Sequence, residues 1–324
     1  MEPPHTVTPA TEARLEDLER HIAAVRDRVA RPVEGIFGAA SVSWRINRES
    51  ALFLGAGRAA LLQLAHPWVA AALDQHSSLM AKPIARFHNT FRVVFTMIFG
   101  SSEQAFRASR SLFGMHTRIT GQVPEAVAGY TMGSRYEALQ IPALRWVYAT
   151  LIESAVIAYE CVLPPLGAEE LEEYFAESKV LAGLFGLPAE ALPGDWRSFK
   201  TYVAETVASQ ALGVSERARM MGHRIMTGAG SWIYIPRWYR ALTAEWLPPR
   251  FRREFGMEYE SVEERSAERA HGMLPRIYRR LPPGARYVGP YQEAKARLEN
   301  RTPGFVARGS NRFWIGDSRM PFGE

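Results

Sequence analysis

The hydrophobic residues of this chain return at intervals of three and four, and that spacing confines most of it to helices. Leu15, Leu18, Ile22, Val25 and Val29 share one face over residues 11–31, the period of an amphipathic helix. The rhythm recurs down the chain, interrupted by Pro or Gly. Residues 51–65 read as a long apolar helix broken at Pro67, with a second piece over 68–75, because proline removes a ladder donor and clashes with the preceding turn. Pro83 suits the first turn of a helix over 83–99, and Gly100 ends it. Ser101 with Gln104 then forms a capping box for a helix over 102–121. Further helices are expected over 146–163, 169–185, 196–210, 237–246, 250–259 and 262–281. Strand-like alternation occurs only around residues 232–235. The expected fold is all-α, a single helical domain of about ten helices. After Pro283 the chain is rich in Gly, Pro and Arg and reads as a surface wrap or loose tail.

Composition narrows the function classes. Of 324 residues, 47% are hydrophobic and 23% charged, too apolar for a disordered chain. Cys161 is the single cysteine, so neither an internal disulfide nor a cysteine-held zinc or iron–sulfur site can form within one chain. The net charge of +5 does not gather into the one-signed stripe of a nucleic-acid binder: Glu12, Asp17, Glu19 and Arg20 mingle near the start, and Glu260, Glu263, Glu264 and Arg265 near the end. No nucleic-acid partner is expected. Residues 1–20 lack the basic start and apolar run of an export signal. Three apolar stretches fail as membrane spans. Residues 59–73 are interrupted by Gln63, His66 and Pro67, 91–100 are too few, and 146–163 contain Glu153 and Glu160. A cytoplasmic protein with very apolar core helices is expected.

Several residues stand out chemically. Gly55-Ala56-Gly57-Arg58-Ala59-Ala60, with Asp74 downstream, matches a dinucleotide fingerprint. Residues 61–73 continue as helix, however, and leave no room for the second strand that the motif needs. Small residues for close helix packing are the better reading. Arg86 and Thr90 are four apart and share a helix face with Val93, Val94 and Met97, so a guanidinium and a hydroxyl lie on a buried stripe and need partners. His116 falls on the apolar face of Phe106, Leu112, Phe113 and Ile119, either as a hydrogen-bonded core residue or as a ligand. His66, before Pro67, is placed to satisfy a carbonyl freed by the helix break or to line a cavity. Glu153 in its apolar helix is either paired, with Arg145 or another Arg, or an acid of raised pKa. No zincin motif and no Glu-x-x-His pair of a di-iron bundle is present.

These residues resemble the rubber oxygenase (latex-clearing protein) and MpaB-type oxygenase family. The likeness lies in the run ending Leu64-Ala65-His66-Pro67, in Arg86 with Thr90, and in Met115-His116-Thr117-Arg118. It continues in Arg145-Trp146-Val147-Tyr148, a block usually written with His where Tyr148 stands, and in Leu247-Pro248-Pro249-Arg250 and Leu274-Pro275-Arg276. It covers about residues 45–285, which leaves 1–44 as a tail and amphipathic helix and 286–324 as a C-terminal extension.

The resemblance implies a globin-like core holding haem b, with His116 as the iron ligand. Arg86, Thr90, His66 and Phe113 would lie around the cofactor, and Arg86, Thr90 and Asp74 would serve catalysis. The partners implied are an apolar small molecule and dioxygen or peroxide, and the reaction is an oxidation, with alkene cleavage as the family's known case. Two positions depart from the pattern. The upstream Glu of rubber oxygenases falls in apolar residues 69–73, with Asp74 the nearest carboxylate, and the Lys before the Thr is Asn89. A non-catalytic haem sensor or carrier, or a non-haem protein binding an apolar ligand, are the alternatives.

Overall fold

The computed structural model describes residues 11–77, 79, 82–229 and 234–323. Among them the chain forms sixteen α-helices and one two-stranded sheet, so the all-α expectation holds. α1 (Leu15–Arg28) packs on α8 (Ala168–Leu184), burying Leu18, Ile22 and Val25. α2 (Val42–Asn47) and a 3-10 turn (Ser50–Leu54) lead into α3 (Ala56–Leu64) and α4 (Pro67–His76). The break at Pro67 frees carbonyls, as the sequence demands. Trp146 Nε1 donates to Leu62 O at 2.7 Å and the Gly213 amide to Ala65 O at 2.7 Å.

α5 (Pro83–Phe99) and α6 (Ser102–His116) pack together, and the capping box of Ser101 and Gln104 is formed. α6 ends five residues before the expected 121, where the chain turns into β1 (Thr120–Gln122), paired antiparallel with β2 (Arg135–Glu137). Gln75 and His76 of α4 donate to or face the carbonyls of Gln122 and Thr120, which pins this hairpin. α7 (Ile141–Val162) runs through the centre, buried around its circumference. It alone among the described residues is long and apolar enough to cross a bilayer, and 72% of its most apolar window is buried in the protein.

Beyond α8 come α9 (Trp196–Ala208), α10 (Glu216–Thr227), α11 (Arg237–Trp246), α12 (Pro249–Glu254) and α13 (Ser261–Tyr278). Half of the expected alternation at 232–235 lies outside the described residues; Tyr234 and Ile235 are irregular. The C-terminal stretch is neither loose nor coil. It forms α14 (Pro283–Arg286), α15 (Gly289–Leu298) and α16 (Phe305–Ile315), and the last two pack on α5. Arg92 donates twice to Ile315 O, Arg297 donates to Phe99 O, and Trp314 stacks on Phe53 at 3.8 Å. One cluster of buried residues extends from Ala13 to Met320.

Candidate functional site

Pro83 fixes the phase of α5, and Arg86 and Thr90 then fall one turn apart. Arg86 Nη1 donates to Thr90 Oγ1 at 2.6 Å, and Thr90 Oγ1 donates its own proton to Arg86 O at 3.0 Å. The threonine is therefore a clamp that fixes the guanidinium against its own helix. No carboxylate pairs with Arg86 among the described residues. Burial alone pulls its pKa down, because removing water penalises the charged form. The N-terminal half of α5 is half-buried, with Asn89 exposed, whereas Phe95 to Phe99 are sealed.

His116 closes α6 on the face predicted for it. Its Nδ1 is shut off from solvent and has no hydrogen-bond partner among the described residues. Burial first, and the charge of Arg86 second, hold its pKa down to about 4. The imidazole is thus neutral at pH 7 and retains an uncommitted nitrogen, the state in which histidine binds metal. Phe113, one turn earlier, is buried against Gly186.

An apolar cavity of about 70 Å³ lies between α5, α7 and α8, with Thr90, Phe91, Val94 and Phe95 on one side and Leu151 and Leu181 opposite. Of the six residues singled out for the site, Thr90 alone lines it; Arg86, His116, Phe113, His66 and Asp74 do not. The α5 cluster brings Arg86, Thr90 and His116 to one region, and leaves two others elsewhere. Asp74 faces α10, where its Oδ2 is 3.6 Å from Arg217 Nε. His66 is 2% exposed and packs among Trp68 and Tyr130, with ring centroids 5.7 and 5.9 Å away. The freed carbonyls it was expected to satisfy are taken by Trp146 and Gly213, and its Nδ1 has no partner among the described residues. Desolvation holds it neutral, with a pKa of about 4.

Two other readings resolve cleanly. Glu153 is paired, though with Arg58 rather than Arg145: Arg58 Nη2 donates to it at 2.5 Å, and Lys200 donates to its other oxygen. These cations outweigh burial and hold the carboxyl below its usual range, so it is no candidate acid. The glycines of the fingerprint-like run permit close packing. A Cβ at Gly55 would lie 2.5 Å from Ser154 O, and one at Gly57 would lie 2.9 Å from Thr243 Oγ1.

Sequence reasoning missed two constellations whose members meet only through tertiary packing. Tyr148 OH and Ser178 Oγ are 2.6 Å apart in the cavity wall. Cys161 Sγ lies 3.8 Å from His271 Nδ1, whose Nε2 faces Glu245 at 2.6 Å. Burial and the Glu245 charge push that thiol up to about 11, so it stays protonated and unreactive.

The donor set fits a haem. Among the described residues no three His, Cys, Asp or Glu side chains converge as a metal cage. An iron here would therefore take most of its ligands from a macrocycle and one from a lone imidazole. His116 offers that imidazole, and Arg86 is a cation without a counter-charge, as a carboxylate-bearing cofactor requires.

Comparison with known families gives one match. The family described as ER-bound oxygenase mpaB/B'/rubber oxygenase, catalytic domain, covers residues 44–280. No curated protein and no solved structure matches the chain.

Proposed function

The chain belongs to that oxygenase catalytic-domain family, and from this premise we propose that it is a haem b-dependent oxygenase acting on an apolar small molecule with dioxygen or peroxide. One observation carries the cofactor: a half-buried imidazole held neutral, whose buried Nδ1 is uncommitted, close enough to an uncompensated guanidinium to feel its charge. Haem bound there would supply the redox chemistry that activates the oxidant.

The remaining work falls to the chain. His116 would hold the iron, and its low pKa keeps protons from competing for that nitrogen at neutral pH. Arg86, clamped by Thr90, would bind the acidic edge of the cofactor. The cavity of about 70 Å³ is well below the roughly 300–1,000 Å³ of ordinary small-molecule sites. A group as broad as a tetrapyrrole would not fit inside it, and the cavity suits a narrow substrate. Its walls of Phe91, Val94, Phe95 and Leu151 exclude water and favour an apolar molecule. Asp74, tied to Arg217, takes no part in this scheme.

The optical spectrum of the purified, haem-supplemented protein tests this reading. A Soret band that disappears in His116→Ala, while far-ultraviolet circular dichroism stays helical, is the expected result. Protein that remains colourless overturns it.

A further inference from the structure

The two hydroxyls in the cavity wall define what that cavity can hold. Ser178 Oγ donates to Phe175 O at 2.7 Å, so its single proton is spent. The 2.6 Å bond between Tyr148 and Ser178 is then donated by Tyr148, whose single proton is spent as well. Both side chains are buried, and burial pushes the Tyr148 phenol further up, so it stays neutral. The pair therefore presents oxygen lone pairs and no proton. Asn47, Ser154 and Tyr174 also line the cavity, but at the pair itself the wall offers acceptors and no donor, and a group left without a partner there is costly.

The shape of the cavity adds a second constraint. Its α5 wall runs from Thr90 through Phe91, Val94 and Phe95 to Ile98, a span of eight helical rises, or ~12 Å. The Ile98 end is fixed by Trp44 Nε1, which donates to Ile98 O at 2.9 Å, beside Ser43 and Tyr174. Phe185 also lines the cavity, and its neighbour Gly186 abuts Phe113, one turn from His116. Ser178 is one turn from Tyr174 on α8, so the hydroxyl pair sits toward the end remote from the His116 region. A slot of that length enclosing only about 70 Å³ admits a single hydrocarbon chain and no fused ring.

We infer that the cavity binds a single-chain alcohol head-first, with Tyr148 and Ser178 accepting the hydrogen bond of its hydroxyl and the chain running back toward Thr90. As the substrate subsite this rests on the oxygenase reading, but binding itself needs no haem. The pair acts as the specificity element that favours an alcohol over its ether, ester or hydrocarbon counterpart.

Isothermal titration of the protein with decanol and with decyl methyl ether, which differ in that one donor, tests the inference. Decanol is expected to bind at least about tenfold more tightly, the equivalent of ~1.4 kcal/mol. The double variant Tyr148→Phe/Ser178→Ala, which removes both acceptors, should bring the ratio close to one. Ser178→Ala alone should narrow it, because the freed Tyr148 proton can donate to the alcohol and the ether oxygen alike. Equal affinities in the native protein overturn the inference without recourse to any variant. Alcohol preference in a colourless protein would sink the haem reading and leave the inference standing; a Soret band with equal affinities would do the opposite.

Discussion

Lowering the pH should expose the cost of sealing His66 inside the protein. An unfolded imidazole takes up its proton near 6.5, whereas the folded His66 waits until about 4 because burial penalises the charged ring more than its own backbone carbonyl favours it. Stability is therefore complete above pH 6.5 and is lost as pH falls through the interval between the two values. At pH 4.5 the unfolded state is almost fully protonated and the folded state barely so, and the difference is about 2.5 kcal/mol from this one residue. Carboxylates elsewhere titrate over the same range, so the contribution is read as a difference. Urea unfolding of the native chain and of His66→Gln, at pH 7.5 and at pH 4.5, isolates it. The gap between the two proteins should move by about 2.5 kcal/mol in favour of the variant on acidification. A gap that does not change with pH would mean that the ring is hydrated or partnered, and would refute the argument.

Two further perturbations act on the interior. Glu153→Gln leaves Arg58, 5% exposed, without its carboxylate; a loss of about 3–5 kcal/mol in denaturant unfolding is expected, and Lys200→Met, whose side chain is half-exposed, should cost far less. Thr90→Val keeps the shape of the helix face but releases Arg86, so haem affinity should fall by about 1 kcal/mol with the unfolding midpoint nearly unchanged.

How much was legible before the structure depends on where the determining atoms lie. The bounds of α5 were readable because Pro83 and Gly100 act locally, and so was the start of α6, where Ser101 and Gln104 cap each other. Residues 51–54 were read as α-helix but form a 3-10 turn, with the Ala51 amide donating to Tyr278 OH, 227 positions away. The C-terminal helices were missed because Pro283 and Pro290 open helices as readily as they end them, and the surface that orders α15 and α16 is α5. α10 was missed for its Arg- and Met-rich, weakly apolar sequence, and the hairpin because strands of three residues carry no period.

The site shows the same division. Arg86 and Thr90 were put on one helix face by spacing alone, though not as each other's partners, and His116 was placed on its face by periodicity. The identity of Glu153's partner was not readable, since Arg58 stands 95 positions away, and neither was the Tyr148–Ser178 bond between α7 and α8. Local spacing marks which residues share a face; the pairing across helices decides which of them remain uncommitted.

Haem titration of the native chain beside His116→Ala, His66→Ala and Asp74→Ala, followed at the Soret band, is the most direct test of the proposed centre. Saturable binding in the native, His66 and Asp74 proteins, with its loss confined to the His116 variant, is the predicted pattern. Undiminished binding in His116→Ala, or a loss that follows His66 instead, would contradict it.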